Sequence, residues 1–176
     1  MKADELIAGA NILEADVKKY WSEIQLDEHN QPVNTSGRKY VQGPYSLLIA
    51  YALENYFKAL LIHRNKKDLK GWLLTELKKT KLPKCFFNHD LVRLASELKF
   101  KLDISEEELL CRLSRSSIWA ARYPVPINAE GLANMKKFST GESYFTAYYA
   151  PRDIKRIHNF IDRLRNEVLT EIENNT

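Results

Sequence analysis

Arg112, Arg115, Trp119 and Arg122 recur at spacings of three and four. On a helix that spacing gathers them along one face, where three guanidinium groups around an indole would suit phosphates and stacked bases. A structural reading stands beside it, in which Trp119 enters the core and the arginines pair with Glu106, Glu107 or Glu108 or stay solvated. Glu54 and Lys58 stand at i and i+4, the spacing of a salt bridge along a helix. Buried in a bundle or at an interface, the same pair would instead mark a ligand pocket. His89 and Asp90 follow Asn88 at the expected start of a helix. There Asp90 complements the positive helix end and His89 can donate to a nearby carbonyl, a structural role for both. No second histidine or cysteine stands at ligand spacing from them, so no metal site is expected. The sequence contains neither a P-loop nor a nucleophile elbow, which leaves those enzyme classes and a bound cofactor without support.

The elements that must position these residues read as helices. From about Asp4 to Gln25, Leu6, Ala10, Leu13, Val17 and Trp21 form one apolar stripe. A turn-rich connection from Leu26 to Gly43 then leads to Pro44, which suits the first position of the next helix. That helix, Tyr45 to Ile62, is apolar over most of its circumference, with Glu54, Asn55 and Lys58 as its polar interruptions. It is therefore expected to be buried on nearly all sides, at the centre of a bundle. It is too short and too charged for a membrane span. A shorter amphipathic piece runs from about Asp68 to Lys79 and is halted near Pro83; the lysines from Lys78 to Lys84 read as a solvated face.

Asn88 is expected to cap a helix through about Leu98, and Ser105-Glu106-Glu107-Glu108 to form the capping box of another through about Ala120. Pro124 and Pro126 end that helix and open a long connection, about 124–150, which holds Phe138, Tyr144, Phe145, Tyr148 and Tyr149 without clear periodicity. The last helix starts near Pro151 and carries Ile154, Ile157, Ile161, Leu164, Val168 and Ile172 on one face. The pattern is all-α, an antiparallel bundle of four to six helices in a single domain over 1–176, with no convincing strand.

With 176 residues, 44% hydrophobic and 28% charged, the chain has the composition of one globular domain. Its net charge of +4 is compatible with a nucleic-acid partner only if the basic side chains cluster. Cys85 and Cys111 have neither metal-ligand spacing nor a disulfide-rich setting and are expected to be reduced and structural. The acidic start Met1-Lys2-Ala3-Asp4-Glu5 shows no export signal, so a cytoplasmic location is expected.

In the apolar helix Ala52-Leu53-Glu54-Asn55-Tyr56-Phe57-Lys58-Ala59-Leu60-Leu61, in His89-Asp90-Leu91 and in Ala121-Arg122-Tyr123-Pro124, the chain resembles the HEPN domain family (higher eukaryotes and prokaryotes nucleotide-binding). The resemblance covers Tyr45 to Pro124 in motif order and is expected to extend to the last helix. It implies an antiparallel helical bundle, commonly dimeric, and a role linked to nucleotides, RNA or a nucleotidyltransferase partner. It also gives Arg122 and Tyr123 a recurrent place, as ligand contacts or as ties on a helix end.

Many HEPN members are metal-independent ribonucleases that carry an Arg, four to six residues and a His, with a polar residue after the Arg. Here Arg152 and His158 are separated by five residues, with Asp153 in the polar place. The resemblance implies that Arg152 would hold the phosphate and that His158 would move the 2′-hydroxyl or leaving-group proton. Helix geometry sets Arg152 almost opposite the core side and His158 on its flank. They would act together only if Arg152 belonged to the cap region or a second subunit completed the site. The leading expectation is a non-catalytic module that binds a nucleotide, RNA or a protein partner and forms a homodimer through its most apolar helices. The alternative is a metal-independent endoribonuclease of toxin or defence type. A further one is a scaffold holding another protein through Tyr144 to Tyr149.

Overall fold

The computed structural model describes residues 2–26, 28, 32–34, 41–75, 84–117, 135–137, 143–145 and 151–173. The chain is an all-α helical bundle. Its helices are α1 (Lys2–Ser22), α2 (Gln42–Arg64), α3 (Lys66–Thr75), α4 (Leu91–Glu97), α5 (Ile104–Arg115) and α6 (Pro151–Glu173), with a 3₁₀ turn at Lys84–Phe87. The apolar helix α2 is the centre of the bundle and touches every other α-helix described. Tyr45, Ile49, Leu53, Tyr56, Phe57 and Leu60 are buried along its length, as its apolar circumference requires.

Pairs of side chains fix the helix directions. Trp21 Nε1 donates to Gln42 Oε1 at 3.1 Å, and Tyr56 donates to Asp4 Oδ1 at 2.7 Å. The end of α1 therefore meets the start of α2 and the two run antiparallel. Leu91 N–H donates to Ser114 Oγ at 2.8 Å, which sets α4 antiparallel to α5. Arg112 reaches Asp153 while Arg163 reaches Glu106, which sets α5 antiparallel to α6. Arg64, at the end of α2, pairs with Glu171 at the end of α6 and donates to the Leu98 carbonyl at the end of α4. Those three helices share a direction.

The stripe on α6 is buried at Ile154, Ile157, Ile161, Leu164 and Val168, while Ile172, in the last turn, is exposed. Phe57, Phe100 and Phe160 form an aromatic trio with ring centroids 5.8 to 6.3 Å apart, capped by the Arg163 guanidinium 4.4 Å from the Phe100 centroid. Phe100 reaches the trio through the turn that ends α4. Its N–H bonds the Ala95 carbonyl and the Lys99 N–H bonds the Ser96 carbonyl, the Schellman pattern. Lys99 takes the left-handed position at φ 53, a place usually given to glycine.

Four local expectations are corrected. Helix α2 starts at Gln42, so Pro44 is its third residue, tolerated because the first four helical N–H groups lack intrahelical acceptors. The N-cap of α4 is Asp90, which accepts from the Val92 and Arg93 N–H groups; Asn88 accepts from Asp90 N–H at 3.0 Å instead. The capping box of α5 is Asp103 with Glu106, two residues before Ser105. Finally, two small antiparallel ladders are present: β1 (Ile24–Leu26) with β2 (Pro32–Asn34), and β3 (Met135–Lys137) with β4 (Ser143–Phe145). Strands of three residues are too short for an alternating pattern to register.

Candidate functional site

Two motif pieces far apart in sequence meet on the flank of α2. Glu54, almost fully buried, points its carboxylate at Lys58 Nζ, 2.7 Å away. His89 Nδ1 lies 3.0 Å from Glu54 Oε1 and 3.1 Å from Oε2. The i, i+4 spacing supplies the first contact. The second exists because Asp90 caps α4 and so places His89 one residue outside the helix, against α2. When Nδ1 donates to the carboxylate, the ring orientation and tautomer are set and Nε2 is left as the acceptor. The imidazole is 56% exposed, so that nitrogen can meet a ligand. The expectation that His89 bonds a carbonyl is corrected: its partner is the carboxylate of Glu54.

A second cluster joins α5 to α6. Arg112, 4% exposed, donates Nη1 to Asp153 Oδ2 at 2.6 Å and Nη2 to Asp153 Oδ1 at 3.0 Å. Its Nη2 also donates to Glu108 Oε2 at 3.0 Å, and its Nε lies 2.7 Å from Glu108 Oε1. Arg156 closes the ring, with Nη1 2.6 Å from Asp153 Oδ1 and Nη2 2.7 Å from Glu108 Oε2. Two guanidinium groups thus alternate with two carboxylates. Burial alone would lower the pKa of Arg112, but the bonds from Asp153 and the charge of Glu108 outweigh it and raise the value.

Arg112 is therefore not a surface contact for phosphate. Its donors are directed at Asp153 and Glu108, and a ligand would have to displace both. Arg115 is half-buried. Trp119, Arg122 and Tyr123 lie outside the described residues, as do Tyr148 and Tyr149 and most of the 124–150 connection.

Arg152 and His158 have different neighbours. Arg152 is exposed and lines a shallow cleft of about 470 Å³ with Ile104, Ser105, Glu108 and Arg156. His158 Nε2 lies 2.6 Å from Glu14 Oε2 of α1, and Glu14 also holds Lys18 at 2.6 Å. Burial would raise the Glu14 pKa, but its bonds with Lys18 and His158 prevail and lower it. Within one chain the arginine therefore faces α5 and the histidine faces α1.

Cys111 is buried. Among the described residues no three His, Cys, Asp or Glu side chains gather as metal ligands, and no helix is long and apolar enough to cross a membrane. Glu14 and Arg156 are site residues that the sequence did not single out, and Asp153 stood there only as the polar residue after Arg152, not as the partner of Arg112. The Asp153–Arg156 spacing of i, i+3 was a visible signal for Arg156; Glu14 had none beyond its own helix.

Fold and site together define an all-α bundle whose helices are tied by carboxylate–cation clusters at their flanks. No family model, curated protein or solved structure matches the chain.

Proposed function

We propose that this chain is a HEPN-like helical module that binds RNA or a nucleotide and does not cut it. The observation that supports the reading is the meeting of Glu54, Lys58 and His89. These residues come from two of the three separate motif pieces that carry the family likeness, and they share one half-buried site beside an exposed imidazole. The separate partners of Arg152 and His158 favour binding over cleavage, since acid–base catalysis needs both groups within reach of one phosphate. A homodimer belongs to the same proposal. Its interface uses faces other than the core of α2, whose large apolar residues are spent inside the protomer. A nucleotidyltransferase-type partner would dock on the outside of the bundle for the same reason.

The test is incubation of labelled mixed-sequence RNA with the purified protein in excess chelator, reading retention by anisotropy and cleavage on a gel. Retention without cleavage is expected. Cleavage that disappears in both Arg152→Ala and His158→Ala would instead establish a ribonuclease, completed across two subunits. Failure to retain RNA or any nucleotide would remove the binding reading.

A further inference from the structure

The positive charge of the chain is unevenly distributed. Residues 63–84 hold eight Lys or Arg against two acidic residues, a net +6, whereas the whole chain is +4; everything outside that stretch is therefore net −2. The described part of the stretch opens a cleft of about 740 Å³ where α2 ends and α3 begins, lined by His63, Arg64, Lys66, Lys67, Lys70 and Glu171.

The lining side chains have two different roles. Arg64 is a strut, with Nε 2.9 Å from both carboxylate oxygens of Glu171 and Nη1 donating to the Leu98 carbonyl. The Glu171 bond raises the Arg64 pKa, and the same bond lowers that of Glu171. Lys66, Lys67 and Lys70 are exposed, and among the described residues no carboxylate pairs with them. At about 100° per residue they fall within one arc of α3, with Lys70 between the other two.

Helix stability does not explain this arrangement. Like charges at i, i+3 and i, i+4 cost a few tenths of a kcal/mol each. Lys66 and Lys67 also occupy the first turn, where the macrodipole disfavours cations.

We infer that this cleft binds the sugar–phosphate backbone of RNA, an assignment that rests on the RNA-binding reading above and adds a backbone-binding surface apart from the Glu54–His89 site. Every described lining residue is polar or charged. The cleft therefore offers mainly cationic donors for phosphates, with His63 its one ring among the described lining residues, and its binding is tolerant of base sequence, since neither phosphate contacts nor stacking reads a base edge. An open cationic wall also suits a strand passing along it better than a small ligand, which would need an enclosing apolar pocket.

The experiment titrates fluorescein-labelled single-stranded RNA into the full chain across a salt series, with Lys66→Gln/Lys67→Gln/Lys70→Gln as the test variant and the exposed Lys155→Gln as control. Three phosphate contacts at about −0.7 per contact predict that affinity falls roughly twentyfold between about 50 and 200 mM salt. The triple variant is expected to lose most of that dependence and to bind at least about tenfold more weakly at the lower salt. A folded triple variant, by circular dichroism, with unchanged affinity and slope overturns the location while leaving RNA binding in place. Equal affinity for poly-glutamate of the same charge overturns the assignment to RNA. No RNA retention by the natural sequence overturns this assignment together with the RNA half of the reading above.

Discussion

Removing Asp153 tests whether the ring on α5 and α6 is structural. The Asp153 and Arg112 side chains are 3% and 4% exposed, and Asp153 receives bonds from both Arg112 and Arg156. Asp153→Ala turns a neutral set of two arginines and two carboxylates into one with net charge +1, and leaves a buried guanidinium with Glu108 alone. Breaking a buried pair on one side costs about 3–5 kcal/mol, out of a total near 5–15 kcal/mol for a typical domain. At this chain length the loss corresponds to a fall in Tm of about 6–20 °C, readable by thermal or urea unfolding. Replacing both partners, Arg112→Met with Asp153→Leu, removes the charges together and is expected to return stability to within about 1 kcal/mol of the natural sequence. RNA affinity of that double variant should be unchanged. A cost below about 1 kcal/mol for Asp153→Ala, against the expected penalty, would refute the structural role. So would a folded double variant that no longer binds RNA, since Arg112 would then be a ligand residue.

The other predictions concern the packing and protonation of the bundle. Tyr56 should titrate near pH 12, because burial first and its bond to Asp4 second raise its pKa to about 12 from an ordinary 10.0. A raised value means that the stabilisation, about 2–3 kcal/mol, is complete below pH 10 and is lost as pH climbs toward 12; phenolate absorbance checks it. Asp4→Asn should bring the titration down without returning it to 10.0, burial being the larger cause. On the acid side the Tyr56 bond holds Asp4 below its ordinary value. Its contribution is present above the ordinary carboxylate pKa and disappears as pH falls through the depressed one, which an acid unfolding series compared with Asp4→Asn reads. Phe57→Ala, which empties the centre of the aromatic trio, should cost about 3–5 kcal/mol in urea unfolding. Lys99→Gly should stabilise by about 0.5–1 kcal/mol, because glycine takes the left-handed position without strain but gives back part of the gain in the unfolded chain.

What was legible in the sequence was periodic. The stripe of α6, the buried circumference of α2 and the start of α6 at Pro151 follow from spacing within one element, where 3.6 residues per turn ties position to direction. The caps were legible in kind and not in place. Asn88 and Asp90, like Asp103 and Ser105, are both good N-cap residues two positions apart, and tertiary fit decides between them: Leu91 must enter the core while its N–H reaches Ser114. The pairs that build the site were the least visible. Glu54 and His89 are 35 residues apart, Arg112 and Asp153 are 41 apart, and Glu14 and His158 are 144 apart. No local period carries such information; only the helix directions do.

The same charged residue types serve opposite ends on α5 and α3. In the α5–α6 ring each guanidinium faces two carboxylates, the charges cancel, and the field outside is small. A phosphate arriving there would have to displace Asp153 and Glu108 and strip water from itself, a cost that a buried pair does not return. On α3 three ammonium groups add, while Glu171, the carboxylate that shares their cleft, is already paired with Arg64, and their field reaches about 8–10 Å into physiological salt. Arginine at helical spacing beside tryptophan looks more like a nucleic-acid surface in sequence than a few scattered lysines do. Burial reverses that ranking at Arg112, which ties α5 to α6, and the lysines of α3 are the groups left to meet a polyanion.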